Sequence, residues 1–216
     1  MNDAKWAKYA ALGGPAFVVL ALLGGFLPGN PVAMNATSEK IQKYFTDHDK
    51  AIEVGAVLGG FAIIGFVWWF GSLFRRMAKA EDGRVRVSVV ALLGLAITIP
   101  LFLMSNVIFA SVALRFDEVQ GAARFFYAMG LMAGAISNFG FVVFLIAVTS
   151  LNYRTKMFPA WTNYAGSLGA LGMLLGTLNL VTDAPAWFVI GLIGFLSAAI
   201  WILALSWDLW KSPAAA

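Results

Sequence analysis

Residues 86–115 read RVSVVALLGLAITIPLFLMSNVIFASVALR, an arginine at each end and 28 residues between them without Lys, Arg, Asp or Glu. A helix of that length runs about 42 Å, and a hydrocarbon core of about 30 Å takes roughly 20 residues. The run lacks the polar–apolar alternation of a barrel strand. Backbone in lipid must satisfy its own hydrogen bonds, so a helix is the only reading.

Outward from this stretch the pattern recurs. Residues 9–38, 54–74, 125–153, 157–182 and 184–207 are also free of charged side chains. With their flanks they predict six spans near 7–27, 53–74, 86–112, 122–151, 159–181 and 185–209. Pro28-Gly29-Asn30-Pro31 stops the first, and Pro159 and Pro185 sit where a first helical turn tolerates proline. The first span is read as retained, because its apolar region exceeds that of a signal peptide. No clean small-x-small site follows it either. The expected fold is an all-α membrane protein: six transmembrane helices in an up-down bundle, one domain over residues 1–216.

Composition agrees. The chain is 61% hydrophobic and 12% charged, against about 25% charged in soluble domains. Mean hydropathy is +0.81. This excludes a soluble enzyme, a nucleic-acid-binding domain, a disordered chain and any sizeable extramembrane domain. The net charge of +4 sits at span ends, where topology explains it. With no cysteine there is no disulfide, thiolate metal site or thiol nucleophile.

Orientation follows from the positive-inside rule. With both termini cytoplasmic, ten basic residues face inward: Lys5, Lys8, Arg75, Arg76, Lys79, Arg84, Arg86, Arg154, Lys156 and Lys211. Five face outward: Lys40, Lys43, Lys50, Arg115 and Arg124. Trp6, Tyr9, Trp68, Trp69, Trp161, Tyr164, Trp207 and Trp210 would then form an aromatic belt at the inner interface.

One connection is more than a turn. Ile41, Tyr44, Phe45, His48 and Ile52 fall on one face of a helix over 37–52, with Lys40, Lys43, Asp47, Asp49 and Lys50 elsewhere. Thr37 or Ser38 can cap its start. This predicts a short amphipathic helix between the first two spans, on the outer membrane surface or over the bundle mouth.

No span interior holds Asp, Glu, Lys, Arg or His. Proton-coupled pumps, ion exchangers and voltage sensors rely on such groups, so those functions are disfavoured. Asp47-His48-Asp49 with Glu53 is the one grouping that resembles a metal or acid–base site. A helix sends Asp47 and Asp49 about 160° apart, and capping and interfacial solvation explain the cluster better. An enzyme would need Asp47, His48 and Glu53 to meet Asp117, Glu118 and Asp183. There is no HExxH, GxSxG or phosphate-binding glycine loop. No catalytic residue, metal or cofactor is expected.

Two constellations remain. Ala165, Gly169, Gly172 and Gly176, with Asn179, share one face of the fifth span. Gly130, Gly134 and Asn138 repeat every four residues on the fourth, and Gly55 and Gly59 do so on the second. Such stripes let helix backbones approach, within the chain or across an interface. The second constellation is a polar core of Thr98, Ser105, Asn106, Ser137, Asn138 and Asn179, with Thr177 nearby. Pro100 frees the Ala96 carbonyl one turn earlier. Asn106, Asn138 and Asn179 are expected to face the bundle interior, as helix–helix glue or as a solute site like those of broken-helix transporters.

TSEKIQKYFTDHDKA leading into a span that ends GFVWWFGSLFRRM, and FPAWTNYAGSLGALG opening a glycine-rich span, resemble a broad group of small, uncharacterised six-span membrane proteins common in actinobacteria. The resemblance implies a bacterial plasma-membrane protein, carries no activity or site residues, and makes the Asn35-Ala36-Thr37 sequon incidental. The function expected is that of a non-catalytic membrane protein packing with lipid, another integral membrane protein or a second copy of itself. The alternative is a carrier or channel for a neutral or hydrophobic solute.

Overall fold

The computed structural model describes residues 3–29, 31–33, 35–182 and 184–212, which form helices, turns and loops without a strand among them. The helices are α1 (Asp3–Ala11), α2 (Gly13–Phe26), α3 (Ser38–Ala80), α4 (Arg86–Leu114), α5 (Phe116–Val119), α6 (Ala123–Thr155), α7 (Trp161–Gly176) and α8 (Pro185–Lys211). Short 3-10 turns lie at Gln120–Ala122 and Thr177–Leu180. Helices α2, α3, α4, α6, α7 and α8 form a ring in chain order, and α8 closes it against α1 and α2. Lys8 Nζ lies 4.4 Å from the ring centre of Trp210, so the start of α1 and the end of α8 share one end of the bundle. That is the termini end; the opposite one is the cap end.

Five stretches are long and apolar enough to cross a membrane: Lys8–Phe26, Ser38–Ala80, Arg86–Leu114, Phe116–Thr155 and Pro185–Lys211. The expected span at 159–181 differs. Its α-helix α7 has 16 residues, and a 3-10 turn carries the chain on to Leu180.

The amphipathic segment is helical as expected, and a kink sets it off from the span that follows. It is the first arm of the 43-residue α3, bent at His48, whose φ is −128° and ψ 18°. No glycine or proline lies between His48 and Glu53 to end the helix, so the chain bends and continues. The bend lays the arm over the bundle mouth. Ile41 and Phe45 are fully buried there, with Phe45 against Phe109, Phe116 and Tyr127. Thr37 caps the arm weakly, accepting from the Lys40 N–H at 3.4 Å.

Two apolar clusters fill the ends of the bundle. The arm, Val112, Ala113, Ala123 and Tyr127 form the smaller one at the cap end. The larger one, toward the termini, centres on Phe66, Trp69, Phe70, Phe144, Trp201 and Leu205. Trp69 therefore does not belong to an interfacial belt. It is 0% exposed and meets Phe66, Phe144 and Trp201 edge-on or tilted. Its neighbour in sequence, Trp68, is 60% exposed and stacks on Trp6.

The turn from α3 to α4 places Asp82 and Val85 at positive φ and leaves the start of α4 without a cap of its own. Glu81 supplies one. Its carboxylate accepts from the Val87 N–H at 2.7 Å, the Ser88 N–H at 2.8 Å and the Ser88 hydroxyl at 2.6 Å. A negative charge there also complements the helix dipole. Burial would raise the Glu81 carboxyl, but the Ser88 hydroxyl, the two N–H donors and Arg154 outweigh it and hold the group below 4.5.

Candidate functional site

Between the two apolar clusters lies a cavity of about 480 Å³, walled by α2, α3, α4, α6 and α8, with Met173 from α7 and Pro28, Gly29 and Pro31 from the loop after α2. That volume falls in the range of sites for drug-sized ligands, roughly 300–1,000 Å³. Its walls are mainly phenylalanine, isoleucine, leucine and glycine. No Lys, Arg, His, Asp or Glu among the described residues lines it.

Five of the six polar-core residues reach the cavity: Thr98, Ser105, Asn106, Ser137 and Asn138. They divide by what their polar atoms do. Ser105 Oγ donates to the Gly130 carbonyl at 2.8 Å, tying α4 to α6. Thr98 Oγ1 lies 2.9 Å from the Gly94 carbonyl and 3.2 Å from that of Ser137, bridging the same helices. Ser137 Oγ donates to Gly134 at 2.6 Å. The Thr98 and Ser105 hydroxyls are helix glue, and that of Ser137 is spent within α6.

The two asparagines behave differently. Asn106 Nδ2 donates to the Phe102 carbonyl at 2.8 Å, while Oδ1 accepts no hydrogen bond among the described residues. Asn138 makes no side-chain hydrogen bond among the described residues, though it is only partly exposed. Among the described residues neither amide bonds the other or the Ala96 carbonyl. A cavity-facing amide costs less than one in hydrocarbon only if a small polar partner can occupy the space beside it. Tyr44, on the arm, adds its ring and hydroxyl to the cap-end wall and stands 6.1 Å, centre to centre, from Tyr127.

Asn179 does not join this group. It is exposed on the 3-10 turn after α7 and does not line the cavity, because the α-helix ends at Gly176 and the rotation that would carry Asn179 inward stops there.

The glycine stripe on α7 is taken up within the chain. A Cβ added to Gly172 would stand 2.6 Å from Gly194 Cα, and one on Gly176 would stand 2.5 Å from Gly191 Cα. Gly169 meets Ala198, and Ser197 Oγ donates to the Ala165 carbonyl at 2.9 Å. The stripe seats α7 on α8.

Of the predicted amphipathic face, Ile41, Phe45 and, past the bend, Ile52 are buried, and Tyr44 and His48 are half-buried. His48 Nδ1 lies 3.0 Å from the Tyr44 carbonyl, its ring tilted against Tyr44. Asp47 pairs with Lys43, Glu53 with Lys50 and Glu118 with Arg115. No three His, Asp or Glu side chains converge among the described residues, and Asp183 lies outside them.

Two features escape sequence reasoning. Phe188, Leu192 and Phe195 put one face of α8 into the cavity. Their i, i+4, i+7 spacing is visible in the sequence, but α8 is apolar all round and gives no phase. Asn152 forms a buried hub, donating to Asn163 Oδ1 at 2.6 Å and Thr162 Oγ1 at 3.2 Å and accepting from the Phe158 N–H at 2.7 Å. Asn152 and Asn163 border a short connection between spans, the one clue that they meet.

Comparison with family models, with curated proteins and with solved structures finds no match.

Proposed function

We propose that this chain is a multi-pass plasma-membrane protein, both termini cytoplasmic, that binds a neutral, largely apolar molecule inside its bundle and acts as a carrier or binding protein without catalysis. The observation that carries this reading is the cavity of about 480 Å³ whose apolar wall holds, among the described residues, two incompletely bonded amides and no charged side chain. An ion would lose its hydration there without a counter-charge, a cost of many kcal/mol. A neutral molecule with one or two polar atoms gains both apolar contact and an amide partner.

The alternative, a protein whose small-residue stripes serve to pack against partners, loses support because the α7 stripe is spent on α8. Helix α7 is read as a sixth span, since 16 α-helical and four 3-10 residues extend about 32 Å, enough to cross. The basic excess at the termini end supports the inward orientation.

The test is extraction and mass analysis of small molecules retained by protein purified in mild detergent. The wild type is expected to carry a neutral apolar compound near one per chain. Asn138→Leu and the double variant Asn106→Leu with Asn138→Leu are expected to lose most of it while remaining folded by circular dichroism. Equal retention by all three refutes the reading.

A further inference from the structure

We infer that the cavity is loaded sideways from the bilayer, through a gap between the cap-end halves of α2 and α8, and that its occupant is a neutral single-chain lipid bearing one hydroxyl or carbonyl group. This rests on the binding function proposed above and adds the route and the ligand class.

Bonded or packed side chains cover each end of the cavity. At the cap end the Tyr127 hydroxyl donates to the Val32 carbonyl at 2.6 Å, pinning the loop after α2. Gln42 Nε2 donates to the Gln120 carbonyl at 3.2 Å, pinning the α3 arm over the mouth. At the termini end Phe66, Trp69, Phe141 and Phe144 form a plug, their rings 5.3–6.4 Å apart in successive contacts.

Around the ring the seams are unequal. Gly24 and Gly55 bring α2 onto α3, Gly94 and Gly140 bring α4 onto α6, and Gly172 and Gly194 bring α7 onto α8. Gly59 meets Asn106 across α3 and α4, and Gly166 meets Thr149 across α6 and α7. Between α2 and α8 the glycine contact is Gly14 on Ser206, at the termini end. Toward the cap end they part. The buried residues of α2 are Gly14 and Val18, and those of α8 begin at Gly194, so toward the cap end α2 buries nothing beyond Val18 and α8 buries nothing over 185–193. Gly25 has no neighbour within 4 Å of an added Cβ, and Phe26 and Phe188 are 55% and 46% exposed although all three line the cavity.

The surroundings of this gap select the ligand. Val19, Leu23, Val189 and Ile193 beside it are exposed and apolar, a surface suited to lipid tails. A solute arriving there comes from the hydrocarbon phase. Once inside, its chain meets the phenylalanine wall, and its polar group reaches Asn106 Oδ1 as a donor or the Asn138 amide as donor or acceptor. A charged headgroup finds no counter-ion among the described residues of the lining.

The chain has no cysteine, so the gap can be closed selectively. Gly25→Cys with Phe188→Cys would be bridged by a short bifunctional thiosulfonate in lipid nanodiscs, with hexadecanol carrying a diazirine as the photoprobe. In the wild type, labelling is expected on peptides containing Asn106 and Asn138; no labelling there refutes the binding function and this inference with it. Bridging before the probe is added is expected to cut labelling at least tenfold. Bridging after loading is expected to keep the probe in place through dilution into probe-free nanodiscs. Undiminished labelling after bridging first overturns the sideways route and leaves binding intact. Loss of probe after bridging last also overturns it, since the molecule would then have left by another path.

Discussion

Phe45→Ala should detach the α3 arm from the bundle mouth while the spans stay folded. Phe45 is 0% exposed, and its ring lies 6.3 Å from Phe109, 6.2 Å from Phe116 and 6.0 Å from Tyr127. Truncating a buried phenylalanine costs about 3–5 kcal/mol, which includes its share of aromatic pairing. The arm is held otherwise by Ile41, Tyr44 against Tyr127 and the Gln42 bond to Gln120, so the loss falls on its local opening equilibrium. At about 1.4 kcal/mol per tenfold, the arm should open roughly two to three and a half orders of magnitude more often. Hydrogen exchange read by mass spectrometry in nanodiscs measures this directly. Peptides covering 38–47 should exchange faster by that factor, with 54–74 unchanged. Lys43→Ala, which removes only an exposed 3.4 Å ion pair with Asp47, should shift the arm by less than threefold. If Phe45→Ala leaves exchange in the arm unaltered, or if the spans open together with it, the arm is not a separable cap and the reasoning fails.

Other substitutions probe other parts of the bundle. Gly172→Ala should lower stability by about 1–3 kcal/mol, because its methyl would enter the Gly194 backbone; Gly71→Ala, with open space around it, should be neutral or stabilising by up to about 1 kcal/mol. Thermal melts of the two purified variants decide between them. Asn152→Ala leaves the Phe158 N–H and Asn163 Oδ1 unpaired in a buried site and should cost about 1–3 kcal/mol for each, read as a lowered melting temperature; a change under 0.5 kcal/mol, about the size of an exposed substitution, would contradict the hub. Glu81 has its folded-state pKa held below 4.5, so its contribution is present above that value and is lost as pH falls through the folded one. Glu81→Gln should therefore be less stable than wild type at neutral pH and should show a shallower loss on acidification, in melting curves taken from pH 7 to pH 3.

The membrane class was legible because it depends on local composition alone. Twenty-eight uncharged residues between Arg86 and Arg115 must be helical in lipid whatever surrounds them, since each backbone group finds its partner four residues away. The capping proline at Pro185 and the cap at Thr37 are local for the same reason. Rotation about the helix axis is not local. Asn138 and Asn179 each share a face with glycines in the sequence, yet Asn138 reaches the cavity and Asn179 lies exposed where α7 gives way to a 3-10 turn. Trp68 and Trp69 are adjacent and chemically identical, yet one is 60% exposed and the other not at all. A helix that is apolar on every side carries no internal mark of which side meets protein and which meets lipid. That choice, and with it the cavity, the α7–α8 seam and the open space beside Gly25, is made by neighbouring helices whose backbones approach only where both present a small residue.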